Sequence, residues 1–446
     1  GASNLGANVT SSGTQTYTGA VTLSGAARTL TTAGSAVTFS NTVNGAQDLT
    51  VDTNGTDNNS SLATVQFGNT VGNSTAVGAV LITGNLDLNA AITSATSLEV
   101  TGTSNLGADV TTSGTQTYTG AVTLSADVNL TGSTITTNNT VAGGTNDLTV
   151  TGNVVFGNST TDTVTGVAVL DITGNTTINT DTITTSSTQT YGDATSDTIT
   201  IGTATTLTTT NSQITFSGTV DSENSETNSL TLDAGTSEVQ FDAETGGTVG
   251  LGAINITGAL DLDADITSAT SLSVSTTSNL GADVTTSGAQ QYDGVTTLST
   301  NVILTTTDSN ITFNDKVISD SATNRNLTID TNGNTGTVVF GNGTTDTVGV
   351  TNGYDLGVIG ITGNLDLNAA IGNGATAGAT SLSVSGTTNI GANVTTTTTQ
   401  TFTGAVSLSV DTTLRGTTIY TQSTVSGSGG GTSVSTTGTT GWIDQN

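Results

Sequence analysis

Apolar and polar residues alternate along many short stretches of this chain. Between Thr117 and Leu124, the residues Tyr118, Val122 and Leu124 share one parity, whereas threonines occupy the other. Because successive side chains of a strand point to opposite faces, the pattern predicts short β-strands with an apolar inner face and a threonine outer face. Gly120 interrupts the stretch at a point where we expect the chain to bend.

The stretch belongs to a motif that recurs through the chain. Leu106–Leu124 reads LGADVTTSGTQTYTGAVTL, and Leu5–Leu23 differs from it at two of nineteen positions. Looser copies begin at Leu280 and Ile390, and a fragment remains at Ser186–Asp193. The glutamines of these copies lie 101, 73, 101 and 110 residues apart, at Gln15, Gln116, Gln189, Gln290 and Gln400. Such self-similarity indicates a repeat architecture.

Other short units return in a fixed order between the copies of the motif. The first set comprises Val37–Val43, Leu49–Val51, Val65–Asn69, Ile82–Asn89 and Ser97–Val100. Each unit places its apolar residues two apart, as in a strand with one buried face. Gly and Asn between the units are typical of turns, because both residues tolerate a positive φ. Strong helix formers are sparse, so the sequence predicts no helix.

Two folds accommodate so many short strands, namely a β-solenoid and a string of Ig-like sandwiches. Inner faces of two or three apolar residues are too small for a two-sheet core, and a variable repeat length suits the addition or loss of coils. We therefore predict an all-β fold, one continuous β-solenoid over residues 1–446, as a parallel β-helix of about twenty short coils. Its superrepeats are expected at roughly 1–103, 104–177, 178–277, 278–387 and 388–446, the last being incomplete.

One aromatic position recurs in every copy of the motif. The strand pattern places its side chain toward the core, where aromatic rings fill space. The threonine before it should point outward. The predicted inward residues are Tyr17, Tyr118, Tyr191, Tyr292 and Phe402, and the predicted outward residues are Thr16, Thr117 and Thr401.

Composition restricts the classes of function. The 446 residues include no Pro, Cys, Met or His, and 34 acidic residues outweigh four basic ones to give a formal net charge of −30. Catalysis by His or Cys is excluded, and neither nucleic acid nor an anionic membrane is an expected partner, since both attract basic residues. No apolar run approaches the ~20 residues of a membrane-spanning helix. The lack of cysteine fits a large exported bacterial protein.

One carboxylate cluster is a candidate for binding or catalysis. Asp261, Asp263 and Asp265 alternate along the chain, so we expect them to share one face of a strand. Three interpretations remain open: a solvated outer face, a Ca²⁺ site built from clustered oxygen ligands, and a catalytic pair that cleaves polysaccharide. No cofactor is required by the sequence. Calcium is not expected to organise the fold, because the glycine-rich nonapeptide calcium repeat is missing.

The string NLGANVTSSGTQTYTGAVTLS, which is followed by a V-T-F strand, resembles repeats of large bacterial exoproteins. These are the filamentous-haemagglutinin-like adhesins and related β-strand-repeat surface proteins. The resemblance covers nearly the whole chain and rests on the style of the repeats. It implies a right-handed parallel β-helix that is carried on, or shed from, a cell surface. The secretion domain of that family is not found in this segment. Phage tail fibres and tail spikes use similar Gly-, Thr- and Asn-rich β-structure.

Uniform repeat chemistry and the resemblance together predict a non-catalytic extracellular protein with a structural or adhesive role, forming a rod or filament at the bacterial cell surface. One alternative is a glycan-binding or glycan-cleaving segment of a phage tail fibre or spike. A second alternative is an ice-binding solenoid with flat threonine arrays. In this chain the T-x-T unit returns only every several coils, which disfavours the second alternative.

The ends of the chain carry a further expectation. A solenoid exposes unpaired strand edges at its ends, and such edges pair with other chains unless they are capped. Since neither end shows a cap, we predict end-to-end self-association or continuation in a longer chain, with glycans or other cell surfaces as further partners. The single tryptophan, Trp442, and the neighbouring Ile443 are the candidate subunit contact.

Overall fold

The computed structural model describes residues 1–54, 62–320, 323–333, 335–343, 345–349, 354–427 and 434–441. Within these residues every regular element is a β-strand and no helix is present. The chain divides into two compact units, residues 1–218 and 219–446. Each unit is a parallel β-solenoid, and together they contain about 20 turns. The predicted fold class is confirmed, whereas the continuity of one solenoid over the whole chain stays a prediction.

The described residues of the first unit form 27 strands, most of them three to five residues long. They are β1 Ser3–Leu5, β2 Val9–Ser11, β3 Gln15–Tyr17, β4 Val21–Leu23, β5 Arg28–Thr32, β6 Val37–Phe39, β7 Val43–Asn44, β8 Leu49–Asp52, β9 Thr64–Phe67, β10 Val77–Thr83, β11 Asn85–Leu88, β12 Ile92–Val100, β13 Ser104–Leu106, β14 Val110–Thr112, β15 Gln116–Tyr118, β16 Val122–Leu124, β17 Val128–Thr137, β18 Val141–Ala142, β19 Leu148–Phe156, β20 Thr163–Val167, β21 Leu170–Ile172, β22 Thr176–Ile178, β23 Thr182–Thr185, β24 Gln189–Tyr191, β25 Thr198–Ile201, β26 Thr205–Thr208 and β27 Ile214–Phe216.

The described residues of the second unit form 25 strands of the same kind. They are β28 Thr219–Ser222, β29 Leu230–Phe241, β30 Leu251–Leu262, β31 Ile266–Val274, β32 Ser278–Leu280, β33 Val284–Thr286, β34 Gln290–Tyr292, β35 Thr296–Leu298, β36 Val302–Thr305, β37 Ile311–Phe313, β38 Val317–Ser319, β39 Arg325–Asp330, β40 Thr337–Phe340, β41 Thr347–Val348, β42 Leu356–Thr362, β43 Asn364–Leu367, β44 Ala370–Ile371, β45 Ala379–Val384, β46 Thr388–Ile390, β47 Val394–Thr395, β48 Thr399–Phe402, β49 Val406–Leu408, β50 Thr412–Thr421, β51 Val425–Gly427 and β52 Val434–Gly441.

Where the strands are short, their pairing shows that one coil contains three strands, whereas longer strands such as β29 and β30 continue around a corner and pair with fewer strands between them. In the second unit, β32 pairs with β35, β33 with β36 and β34 with β37, always in parallel. The same offset of three strands occurs in the first unit, where β20 pairs with β23 and β21 with β24. Each of these strands therefore hydrogen-bonds to the strand in the equivalent position of the neighbouring coil. This repetition gives each solenoid three faces.

The recurring motif corresponds to one coil. Its first and last residues are register partners in all four long copies, so the chain returns to its starting position after 18 residues in each. The partners are Leu5 and Leu23, Leu106 and Leu124, Leu280 and Leu298, and Ile390 and Leu408. A local sequence motif thus describes a complete structural unit.

Several of the recurring sequence units occupy successive rungs of one face. In the first unit the register partners run in succession from Tyr17 through Phe39, Phe67 and Leu88 to Leu106. In the second unit the corresponding column comprises Tyr292, Phe313, Phe340, Leu367 and Ile390. Successive rings in these columns are 5.1 to 5.2 Å apart and close to parallel. Stacked rings fill the core and add attraction beyond their buried area.

The predicted direction of the recurring aromatic residue is confirmed. Four of the five rings are completely buried, at Tyr118, Tyr191, Tyr292 and Phe402. Tyr17 is half-buried and stacks on Phe39. The threonines that precede the rings, Thr16, Thr117 and Thr401, lie on the outer side and are exposed or half-buried.

Gly120 lies at a corner, where the chain bends between β15 and β16, as expected. A Cβ atom at this position would lie 2.5 Å from the carbonyl oxygen of Gly102 in the preceding coil. The two backbones approach too closely there for any larger residue. Gly120 is therefore required by the stacking of the coils.

A glutamine precedes each recurring aromatic residue by two positions and is buried, which the sequence analysis did not predict. The Nε2 atom of Gln116 donates to the carbonyl oxygens of Val110 at 3.1 Å and Thr131 at 2.8 Å. The hydroxyl of Tyr118 donates to Oε1 of the same glutamine at 2.9 Å. Burial raises the pKa of Tyr118, so this donor stays protonated. The same tyrosine–glutamine bond forms at Gln15, Gln189 and Gln290.

The fifth copy lacks this donor. Gln400 precedes Phe402, which has no hydroxyl, and Oε1 of Gln400 is buried without a hydrogen-bond partner. An unsatisfied buried acceptor destabilises the folded state. The five copies therefore contain a natural comparison between a complete and an incomplete hydrogen-bond cluster.

This difference predicts opposite effects for two matched substitutions. Tyr118→Phe should destabilise its coil by about 1–3 kcal/mol, because Oε1 of Gln116 loses its donor. Phe402→Tyr should stabilise its coil by about 0.5–1.5 kcal/mol, because Gln400 gains one. Native-state hydrogen exchange of β15 and β48 measures both local changes. Tyr118→Ala, which removes the whole ring, is the reference at about 3–5 kcal/mol. Equal signs for the two tyrosine–phenylalanine exchanges would contradict this account.

Candidate functional site

The three carboxylates predicted as a site surround the end of a strand. Asp261 is the last outward residue of β30, which ends at Leu262, whereas Asp263 and Asp265 lie in the turn before β31. The expectation that all three share one strand face is therefore wrong. The coil turns a corner directly after Leu262, so the regular alternation of side chains ends there.

All three of these carboxylates accept hydrogen bonds from protein donors. Oδ1 of Asp261 accepts a hydrogen bond from Nδ2 of Asn279 at 2.7 Å, across one coil boundary. Oδ1 of Asp265 accepts the backbone N–H of Asp283 at 2.9 Å. Oδ1 of Asp283 in turn accepts the backbone N–H of Ile303 at 2.7 Å. These contacts join three successive coils through short acidic side chains.

The electrostatic surroundings of Asp263 raise its pKa. Partial burial raises its pKa, and the neighbouring charges of Asp261 and Asp242 raise it further, while a hydrogen bond from Gln240 opposes the change. A shallow cavity of about 610 Å³ lies beside it. Four carboxylates line this cavity, namely Glu244, Asp263, Asp265 and Asp283. The site is therefore open, acidic and repulsive to further negative charge.

No group of three or more Asp, Glu, His or Cys side chains lies in an arrangement that could hold a metal ion, in the part of the chain that the structure describes. Asp261, Asp263 and Asp265 all accept hydrogen bonds from protein groups. The proposal that Asp261, Asp263 and Asp265 bind Ca²⁺ stays a prediction from sequence.

The bonds made by Asp265 and Asp283 represent a general feature of the corners. A side-chain oxygen of Asn or Asp in one coil accepts a backbone N–H of the next coil, at 2.7 to 3.0 Å. Acceptor and donor residues include Asn8 and Thr29, Asp48 and Ala79, Asp109 and Asn129, Asp127 and Asp147, Asp147 and Val169, Asn153 and Asn175, Asn175 and Thr198, Asn301 and Asn326, Asn326 and Val358, and Asn393 and Thr413.

One signal in the sequence identifies these corner residues. The fourth position of the recurring motif is always Asn or Asp, as Asn8, Asp109, Asp283 and Asn393. Asn and Asp share a side-chain oxygen at the same distance from the backbone, but they differ in charge. Their exchange at one position indicates that the oxygen acceptor, and not the charge, is required there.

A second arrangement recurs on the flat faces. Oδ1 of Asp87 accepts Nδ2 of Asn105 at 2.9 Å, and the residues are register partners in β11 and β13. The corresponding contacts join Asp261 to Asn279 and Asp366 to Asn389. Partial burial alone raises the pKa of Asp87, but hydrogen bonds from Asn105, Gln66 and Asn89 outweigh it and lower the pKa below its usual range. Asp87 therefore remains ionised and holds three amides.

The remaining predicted contact residues, Trp442 and Ile443, lie outside the described residues. Among the residues that are described, no helix is long and apolar enough to cross a membrane. Compared with known proteins, the chain matches no family model, no curated protein and no solved structure. The resemblance to haemagglutinin-like adhesins therefore rests on the style of the repeats, and only the coarser statement, a repeat-built parallel β-solenoid, is shown.

The corner contacts predict that a carboxamide can replace a carboxylate. Asp147→Ala should weaken its corner by about 0.5–1.5 kcal/mol, because the N–H of Val169 loses its acceptor. Asp147→Asn should leave the corner unchanged, since Asn keeps the oxygen. Hydrogen exchange at the Val169 amide checks both expectations. Faster exchange in the Asn variant, at the rate of the Ala variant, would show that the charge is what matters.

The two perturbed carboxylates predict opposite responses to acid. The lowered pKa of Asp87 stabilises the folded state above its unfolded-state pKa, and this contribution is lost as pH falls through the folded-state value. The folded-state pKa of Asp263 is raised, so this carboxyl destabilises the folded state as pH rises toward and through that raised pKa. In urea unfolding between about pH 2 and pH 6, Asp87→Asn should make stability less dependent on acid. Asp263→Asn should increase stability at the upper end of that range. If both substitutions changed the stability in the same direction at the upper end of this pH range, these assignments would be contradicted.

The calcium prediction has a direct thermal test. If Ca²⁺ binds at Asp261, Asp263 and Asp265, a chelator should lower the Tm of the purified protein, because an ion that binds the folded state stabilises it. Asp263→Asn should remove that dependence, whereas Asp87→Asn, which changes a carboxylate outside the cluster, should retain it. A Tm that does not respond to chelator or to added Ca²⁺ would support the alternative interpretation, in which the cluster is a solvated outer face.

Proposed function

We propose that this chain is a non-catalytic structural and adhesive protein of the bacterial cell surface. The observation that supports this most strongly is the use of its polar side chains. The Asn and Asp residues of the corners accept backbone N–H groups of the next coil. Those of the faces bind one another across coils. The polar side chains that could take part in a reaction are instead used to hold successive coils together.

The outer surface fits such a role. Threonine and other small polar residues occupy the outward positions of the strands, and β-branched side chains favour strand geometry while their hydroxyls remain hydrated. A formal net charge of −30 keeps the protein soluble and disfavours nucleic acid as a partner. The partners that we propose are glycans or other cell surfaces, together with further copies of the chain end to end. Electron microscopy of native material would show the filaments that end-to-end association requires.

An adhesion assay with a chemical readout tests the proposal. Beads coated with the folded protein should retain bacterial cells or immobilised polysaccharide, and beads coated with heat-unfolded protein should not. No reducing sugar ends should be released from the retained polysaccharide. Absence of retention on every surface would overturn the adhesive role.

The same assay separates the alternative of a glycan-cleaving tail spike. Release of reducing ends would overturn the non-catalytic assignment. Loss of that release in Asp263→Asn, but not in Asp87→Asn, would place the reaction at the acidic cavity. The two variants are matched in chemistry, because each replaces one carboxylate by a carboxamide, at Asp263 in the turn after β30 and at Asp87 within β11.

A further inference from the structure

Six Asn-Gly pairs occur in the sequence, and their chemistry depends on how each is held. The backbone nitrogen after an asparagine can attack the side-chain carbonyl carbon, and glycine obstructs this least because it has no Cβ. The described pairs are Asn44-Gly45, Asn332-Gly333, Asn342-Gly343 and Asn373-Gly374, whereas Gly55 and residues 352–353 lie outside the described residues.

Hydrogen bonds restrain two of the asparagine side chains. Oδ1 of Asn44 accepts the backbone N–H groups of Ser74 at 3.0 Å and Thr75 at 3.2 Å, which belong to the next coil. Oδ1 of Asn373 accepts the backbone N–H groups of Ala375 at 3.1 Å and Thr376 at 2.8 Å. Each side chain must break two hydrogen bonds before its carbonyl carbon can turn toward the following nitrogen.

The third pair is restrained at the attacking nitrogen. The backbone N–H of Gly343 donates to Oδ2 of Asp346 at 2.8 Å, and the N–H of Asn342 donates to the same oxygen at 3.0 Å. Asp346 is buried, so this charge-assisted bond is shielded from water. The nitrogen that would attack is therefore already engaged.

Asn332 differs from these three asparagines. It is exposed in the turn between β39 and β40, with φ at +49°, and its own N–H donates to Oδ1 of Asp330 at 2.8 Å. Among the described residues, neither its side-chain amide nor the N–H of Gly333 has a hydrogen-bond partner. Both reacting groups are available, and the preceding Thr331 is held to the core through Thr362.

We propose that Asn332 is a site of spontaneous covalent modification, which converts it to aspartate and isoaspartate. The nitrogen of Gly333 loses its proton to solvent base and forms a bond to Cγ of Asn332. The bond from Cγ to Nδ2 breaks, and Nδ2 leaves as ammonia. Water then opens the cyclic imide at either carbonyl. The net change is consumption of one water and release of one ammonia, without oxidation or reduction.

The product alters this corner in two ways. A new carboxylate appears beside Asp330, and the carboxylate of Asp308 lies against Gly333 in the preceding coil. In isoaspartate the main chain also passes through Cβ, which lengthens the turn by one carbon. The modification thus adds negative charge to one corner of the second unit and lengthens its backbone. This inference does not depend on the proposed adhesive function.

Incubation of the folded protein under mildly alkaline conditions tests the proposal. Peptic digestion in acid, followed by mass spectrometry with fragmentation that distinguishes isoaspartate, measures each site in the same sample. Asn332 should react at least about tenfold faster than Asn44 or Asn373, which must first break hydrogen bonds. In the urea-unfolded chain the three sites should react at similar rates.

Two variants keep the result interpretable. Asn332→Gln should abolish the principal acidic form seen by ion exchange, whereas Asn73→Gln, at an exposed asparagine followed by serine, should not. Gly333→Ala is unsuitable, because its Cβ would collide with Asp308. Equal rates at Asn332 and Asn44 in the folded protein would overturn the proposal. So would the same preference for Asn332 in the unfolded chain, since the fold would then play no part.

Discussion

Parallel, in-register hydrogen bonding between successive coils is the constraint on which the rest of this protein depends. Each strand offers its backbone groups to the strand of the coil before and the coil after, so the side chains stack in columns of register partners. An inward column is mostly apolar, and a polar residue within it needs protein hydrogen-bond partners, as Gln116 has, because water does not reach that side of the strand. The column from Tyr17 through Phe39 and Phe67 to Leu88 meets this demand with stacked rings and leucine.

The corners present a different problem, since the regular ladder stops where the chain bends. A backbone N–H at a bend needs an acceptor, and the nearest side chain belongs to the coil before. Asn and Asp are short enough to place an oxygen there, as Asp109 does for Asn129. This requirement accounts for two features of the composition, the abundance of Asn and the presence of Asp at recurring positions.

Much of this could be read from the chain before the structure. Alternation identified the strands and the inward direction of Tyr118 and its equivalents, because side-chain direction in a strand depends only on parity. Repetition identified the solenoid, because the small inner face of one unit requires neighbours to cover it. The burial of Gln116 was not predicted, although it shares the parity of Tyr118, because nothing within one repeat shows the carbonyl oxygen of Thr131 in the next coil that accepts its amide. Asp261, Asp263 and Asp265 were misplaced because parity loses its meaning at a corner.

The sequence by itself determined the strands, their inner and outer faces, and the repeat that makes one coil. These properties are local, since each depends on neighbours within about twenty residues that repeat with the same spacing. Only the tertiary structure decided which Asp binds which N–H, which asparagine is left unrestrained, and where a corner interrupts a strand. Those outcomes depend on the register between coils, which joins residues such as Asp283 and Ile303 or Asn44 and Ser74. Coils of unequal length change that register, and the sequence pattern within a single coil does not reveal how neighbouring coils are aligned.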